Sequence, residues 1–273
     1  MVEFAMSLSS QDESHFSRED VVQGVVPRSA WQFAPGRIWV NIENVPDSIR
    51  FYGSLTDRPA AMPIIFLEGD VIVQGNRLNN DTVVGERYLS LSSKLLQAEA
   101  VQFAELFKRP FINLARPGTY GSSGDHQQRR REREVALINT ALDQLKIAFG
   151  WDRVDLAGQS GGGHLVASLI ARRSDIRRAV IASGGVAIRM RNQEFGRDVD
   201  ATGYSDFVDP LDAVADVKKN HAGEIIILTD PNDQVVSVAV QTAYVTALAR
   251  ADVEVSHRFI PAIGLLIPEQ AGH

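Results

Sequence analysis

The sequence contains no cysteine, and this absence excludes several kinds of chemistry at once. Without thiols, the chain forms no disulfide bond, holds no thiolate-bound metal and has no cysteine nucleophile. Because disulfides are the usual sign of an oxidising compartment, their absence leaves the redox compartment undecided.

Long apolar runs and an excess of basic residues are also missing. No apolar run approaches the length that spans a bilayer, and residues 1–14 lack the basic start and apolar core of a signal peptide. A net charge of −6 argues against nucleic acid or an anionic membrane as the main partner. We therefore expect a soluble, cytoplasmic protein that binds neither. The sequence does not indicate the oligomeric state.

The chain is long enough, at 273 residues, to bury the core of one large domain. Residues 1–35 are polar and are predicted to be an N-terminal extension, with one short helix at 17–23. Residues 36–273 are predicted to form one large domain. Within it, residues 186–222 depart from the regular alternation of strands and helices and are predicted to be a small insertion.

The hydrophobic pattern of the domain predicts an α/β fold. Two alternating segments at 37–42 and 48–53 are typical of antiparallel strands. Further strands are predicted at 62–67, 110–115, 154–157, 178–183, 224–229 and 253–260, and helices at 91–108, 128–149, 164–172 and 236–250. Repeated strand–helix units of this kind favour a mostly parallel central sheet flanked by helices on both faces.

One short segment carries the strongest functional signal. Ser160 is the serine of a Gly-x-Ser-x-Gly pattern, which lies between an apolar strand and an apolar helix. A strand that turns directly into a helix forces this serine into a strained conformation, as in hydrolases that mount a serine nucleophile there. Gly158 and Gly162 allow strand and helix to pack closely. The start of the helix directs the Gly161 amide to the place where an oxyanion would form.

A serine nucleophile needs a histidine base and a carboxylate that orients the histidine. Ligands of parallel sheets bind at the carboxyl ends of the strands, so the loop after the strand at 224–229 is the expected source of the carboxylate. This loop contains Asp230 and Asp233. We favour Asp233, which comes just before the next helix, and Asp230 remains the alternative.

Among six histidines, His273 is the predicted base. It follows the last predicted strand and completes the chain order Ser160, Asp233, His273, which hydrolases with this serine motif share. His164 lies one helical turn after Ser160 and is too constrained to accept its proton. His257 lies within a strand, where a structural role is expected.

These segments together resemble the α/β-hydrolase superfamily. The resemblance covers residues from about 37 to 273 and rests on Gly158-Gln-Ser-Gly-Gly162, Thr229-Asp-Pro-Asn-Asp-Gln-Val-Val236 and Ala271-Gly-His273. The amino-acid sequence around Ser160 is also similar to that of prolyl-oligopeptidase-like members. The resemblance implies an α/β-hydrolase fold and hydrolysis of an ester, thioester, amide or peptide bond without a cofactor.

The loop after the third strand is where this sequence departs from the family. Members often have His-Gly there and take an oxyanion-hole amide from it, whereas this chain has Glu68-Gly69-Asp70. Backbone donors do not depend on the side chain, so the amides of Gly161, Gly69 and Asp70 are the predicted oxyanion hole. The predicted substrate-binding residues are Tyr120, His126 and Gln159. No residue is assigned to a metal.

Two classes of function follow from these residues. The first is a serine hydrolase that forms an acyl-enzyme on Ser160 with a small-molecule or peptide substrate. The second is a non-catalytic protein of the same fold that binds a small molecule. The acidic Glu68 beside the predicted oxyanion hole, and the position of His273 as the last residue of the sequence, keep this second class open.

Overall fold

The structure is a computed structural model that describes residues 12–54, 61–78 and 81–262. The chain divides into two compact units. The first unit comprises Met1–Phe66 and Val71–Val154, and the second comprises Leu67–Asp70 and Asp155–His273. Within the described residues, no helix has both the length and the apolar character that crossing a bilayer requires.

The described part of the predicted N-terminal extension packs onto the core of the first unit. Helix α1 (Arg18–Gln23) begins after Ser17, whose hydroxyl accepts a hydrogen bond from the Asp20 amide, and this confirms the predicted short helix. Val21 is fully buried in the core. A 3-10 helix at Ser29–Phe33 then leads to the first strand.

The first unit contains the antiparallel part of the sheet. Its strands are β1 (Arg37–Ile42), β2 (Val45–Ser54), β3 (Ile64–Leu67), β4 (Ile72–Gln74), β5 (Val83–Val84) and β6 (Phe111–Leu114). In the order β1-β2-β6-β3, β1 and β6 each pair antiparallel with β2, whereas β3 and β6 are parallel. β4 and β5 form a separate small hairpin that the hydrophobic pattern did not predict.

The described part of the first unit contains three further α-helices, α2 (Glu86–Ser90), α3 (Ser93–Phe107) and α4 (Glu132–Phe149), and a 3-10 helix at His126–Gln128. The Ser92 hydroxyl caps α3 by accepting a hydrogen bond from the Leu95 amide. Both long helices were predicted, although α4 begins four residues later than its hydrophobic pattern indicated.

The described part of the second unit alternates strands and helices, except that two of its helices follow each other within residues 186–222. Its elements are β7 (Val154–Gln159), α5 (Gly161–Ile170), β8 (Ile176–Ala182), α6 (Ile188–Glu194), α7 (Val214–Asn220), β9 (Glu224–Thr229), α8 (Val238–Arg250) and β10 (Ser256–Phe259). Its strands follow the order β7-β8-β9-β10, and β8, β9 and β10 are parallel. The predicted insertion contains α6, a 3-10 helix at Pro210–Ala213 and α7.

Counted over the described residues, eight strands belong to one mostly parallel sheet with helices around it, which confirms the predicted fold class. The second unit has its most buried helix at α5, where every residue is buried. This burial explains why α5 is apolar on all sides, since a helix that exposed one face to water would carry polar residues there.

Candidate active site at the turn from strand β7 to helix α5

Ser160 occupies the turn between β7 and α5 with a backbone conformation that is rare for a non-glycine residue. Its φ is 53° and its ψ is −115°, a sparsely populated region that costs about 1–3 kcal/mol. Hydrogen bonds hold this conformation: the Ser160 amide donates to the Ala182 carbonyl at 2.9 Å, and the Ser160 carbonyl accepts from the His164 and Gly185 amides. The strained turn that the motif predicts is therefore present.

The two glycines of the motif lie where backbone segments meet. A Cβ atom on Gly162 would lie 2.0 Å from the Leu67 carbonyl oxygen, and one on Gly158 would lie 2.4 Å from the Gly162 carbonyl oxygen. Both distances are far shorter than van der Waals contact. The segment Leu67–Asp70 thus lies directly against the start of α5, and the predicted close packing at both glycines is confirmed.

This packing brings the predicted oxyanion loop beside the candidate nucleophile. A Cβ atom on Gly69 would lie 3.3 Å from the Ser160 Cβ and 2.4 Å from the Gln159 Oε1. Gly69, Gln159 and Ser160 are therefore neighbours, and Gly161 follows as the first residue of α5. The roles of the Gly161, Gly69 and Asp70 amides as oxyanion donors, and of Gln159 in substrate binding, stay predictions.

The loop after β9 holds both candidate carboxylates in buried positions. The Asp233 Oδ1 accepts hydrogen bonds from the Val235 amide at 2.8 Å and the Val236 amide at 2.9 Å. Asp230 Oδ1 accepts a single hydrogen bond, from the Asn232 amide at 2.9 Å. Two backbone donors fix the orientation of the Asp233 carboxylate more tightly than one donor fixes that of Asp230.

The predicted base, His273, lies outside the described residues, so its role stays a prediction. His164 is fully buried, and its Nε2 lies 2.8 Å from the Val208 carbonyl, to which it donates a hydrogen bond. A ring held in this way cannot accept the Ser160 proton at Nε2. His257 lies 2.8 Å from the Thr229 hydroxyl, and burial lowers the pKa of its imidazole.

Two predicted substrate contacts, Tyr120 and His126, are buried residues of the first unit. The Tyr120 ring packs in an aromatic cluster, with centroids 5.4 Å from Phe16 and 5.0 Å from Tyr88. The His126 ring is fully buried, and its Nε2 accepts a hydrogen bond from the Val71 amide. These contacts are structural, and binding of substrate by either residue stays a prediction.

Sequence reasoning missed the glycine pair that follows β8. The Gly185 amide donates to the Ser160 carbonyl, and a Cβ atom on Gly163 would lie 2.8 Å from the Gly184 Cα. Two adjacent glycines directly after a buried strand are a signal of close backbone approach.

The described residues contain no group of three or more His, Asp or Glu side chains that could hold a metal ion.

No protein-family model matches the sequence, and no curated protein matches it. Solved structures are similar to it at 11–14% identity. They include an acylaminoacyl peptidase from Pyrococcus horikoshii (11%, TM-score 0.56, covering 83% of this chain and 37% of that chain). An esterase from Pyrococcus furiosus is similar at 12% identity and a TM-score of 0.57, covering 87% of this chain and 89% of that chain. Est1E from Butyrivibrio proteoclasticus is similar at 12% identity and a TM-score of 0.58, covering 82% of this chain and 89% of that chain.

The chain spans little more than a third of the length of the peptidase but most of the length of the two others. At these identities the likeness concerns the fold, and catalytic residues do not transfer with it. The strand order, the strained Ser160 turn and these structural likenesses agree with one another. The chain has the α/β-hydrolase fold.

Proposed function

We propose that the protein is a serine hydrolase that cleaves an ester, thioester or amide bond through an acyl-enzyme on Ser160. The observation that supports it is the strained turn at Ser160, with Gly69 packed beside the serine. A strained residue that several hydrogen bonds hold in place is typical of a functional site. The substrate is proposed to be a small molecule or a peptide.

The first half-reaction forms the acyl-enzyme. Ser160 Oγ attacks the substrate carbonyl carbon while its proton passes to His273, which Asp233 orients. The carbonyl oxygen becomes an oxyanion and accepts hydrogen bonds from the Gly161 amide and from the amides of Gly69 and Asp70. His273 then gives the proton to the leaving group as the bond to that group breaks.

The second half-reaction releases the acyl group. Water attacks the acyl carbon and gives its proton to His273, and the same amides stabilise the second oxyanion. The ester bond to Ser160 Oγ then breaks, and His273 returns the proton to that oxygen. The carboxylic acid leaves, and the enzyme regains its starting state.

Labelling with a fluorophosphonate probe tests the nucleophile directly. We expect the wild-type protein to be labelled and the Ser160→Ala variant not to be labelled, because the probe reacts with activated serine hydroxyls. Ser168→Ala is the matched control: Ser168 lies two helical turns further along α5, is buried, and donates a hydrogen bond to the His164 carbonyl. This control should be labelled like the wild type.

Absence of labelling in the wild-type protein would contradict the hydrolase and favour the non-catalytic binding protein of the same fold. Equal labelling of Ser160→Ala would place the reactive serine elsewhere. If the labelling depends on Ser160, a screen of p-nitrophenyl esters of graded chain length and of aminoacyl amides separates an esterase from a peptidase.

A further inference from the structure

Two arginines face each other across the hairpin of β1 and β2 in the first unit. Arg37 and Arg50 are direct partners in the register of the two antiparallel strands. Both side chains are half-buried. Like charges at directly opposed positions of a sheet repel each other and are destabilising unless an opposite charge offsets them.

The groups that the two guanidinium ions contact in the described chain are neutral. Arg37 donates hydrogen bonds to the Ser48 hydroxyl at 3.2 Å and the Gly121 carbonyl at 2.8 Å. Arg50 donates to the Pro35 carbonyl at 2.7 Å. Within the residues that the structure describes, neither arginine forms an ion pair with a carboxylate.

Aromatic rings hold both guanidinium groups in place. The Arg37 Cζ lies 4.1 Å from the centroid of the Trp31 ring, and the Arg50 Cζ lies 5.1 Å from that of Tyr52. Burial, with repulsion from Arg50, lowers the pKa of Arg37 to about 10. The Arg37 side chain is therefore still charged at neutral pH, and its charge is not neutralised.

The two arginines line a pocket of about 420 Å³. Ser93, whose buried hydroxyl lies 3.0 Å from the Tyr52 hydroxyl, lines the same pocket and adds a hydrogen-bonding group. Asp12 and Asp20 also line it, but both are exposed, where water and salt screen a charge more strongly than at half-buried positions. The buried side of the pocket is therefore positive.

We propose that this pocket binds a small molecule through a phosphate group. Two guanidinium ions match the charge of a phosphate monoester, which is about −1.5 to −2 at neutral pH. Their planar donors also suit bidentate hydrogen bonds to phosphate oxygens. The pocket belongs to the first unit and includes none of the residues proposed for hydrolysis.

Isothermal titration calorimetry of the full chain with inorganic phosphate at low salt tests this site. We expect saturable binding, which Arg37→Gln and Arg50→Gln each weaken by about 10-fold or more, because each removes charge-assisted hydrogen bonds. Arg178→Gln is the matched control: Arg178 is an arginine of strand β8 that pairs with Glu224, so its variant should bind phosphate like the wild type.

Further measurements separate lost binding from lost folding. Arg50→Lys keeps the charge but not the planar donor group. We therefore expect this variant to fold like the wild type and to bind phosphate more weakly than the wild type does. Phosphate should raise the melting temperature of the wild type more than that of Arg50→Gln. No saturable binding, or equal binding by Arg37→Gln, Arg50→Gln and wild type, would overturn the proposal. Equal affinity for acetate would overturn the assignment to phosphate.

Discussion

At Ser160, the neighbouring backbone compensates for dihedral angles that a serine disfavours. The Ala182 carbonyl accepts a hydrogen bond from the Ser160 amide, and the His164 and Gly185 amides donate to the Ser160 carbonyl, so both backbone groups of the residue are held. The motif predicted the strain, because a strand and a helix that meet at one residue leave it few other conformations. It did not predict the partners after β8, since they come from a distant part of the chain.

The steric role of Gly162 can be measured separately from catalysis. In Gly162→Ala, the new methyl group would lie 2.0 Å from the Leu67 carbonyl oxygen, so the backbone must shift. We expect the free energy of unfolding to fall by about 3 kcal/mol, as measured by urea denaturation. Gly150 is the control, because its φ is positive but no atom lies within 4 Å of an added Cβ. Gly150→Ala should cost about 1 kcal/mol, and an equal loss in both variants would contradict the steric role.

The two carboxylates of the loop after β9 should differ in their effect on turnover. Asp233→Asn keeps an oxygen that accepts the Val235 and Val236 amides but loses the charge that stabilises a protonated histidine. We expect kcat for a p-nitrophenyl ester to fall by about 10²- to 10⁴-fold. In Asp230→Asn the fall should be within about fivefold, since Asn still accepts the Asn232 amide. Equal losses would show that the acid is wrongly assigned.

Elements were predictable where burial alone determines the pattern. β9 was predicted with its observed bounds, because an apolar run buried in a sheet ends where polar residues begin. The hairpin of β4 and β5 was not predicted, since strands of two or three residues carry no detectable period. The first turn of α5 consists of three successive glycines and has no apolar period, so the strand-to-helix motif, and not the hydrophobic pattern, predicted that the helix begins beside Ser160.

The histidine of β10 should make stability depend on pH. Burial lowers the pKa of His257 below 6.5, so the folded state disfavours the protonated ring. The stability that the neutral ring contributes is complete above pH 6.5 and is lost as the pH falls through the lowered pKa. We expect the free energy of unfolding to fall between pH 7 and pH 5 more steeply in the wild type than in His257→Gln. Glutamine is a suitable replacement because it can still form a hydrogen bond with the Thr229 hydroxyl. The same fall of the free energy of unfolding with pH in both proteins would contradict a contribution of His257.

At the scale of the whole molecule, the hydrophobic pattern predicted an α/β fold but not the division of the chain into two compact units. The second unit takes only Leu67–Asp70 from the first half of the chain. The assignment of so short a segment to the second unit depends on contacts between residues far apart in the sequence, and no local sequence pattern predicts such contacts. The polar composition of residues 1–35 likewise concealed the few apolar side chains by which the described part of this segment joins the core.

Residues 12–35 should therefore contribute to stability as part of the first unit. The Phe16 ring stacks on Tyr88, with centroids 5.5 Å apart, and meets Tyr120 edge to face. Because the Phe16 ring is half-buried, we expect Phe16→Ala to lower the free energy of unfolding by about 2 kcal/mol, as measured by urea denaturation. Phe33→Ala serves as the control, since Phe33 is 84% exposed and its loss should change stability by less than about 0.5 kcal/mol. If the two variants were equally stable, the segment would be the separate extension that its composition predicts.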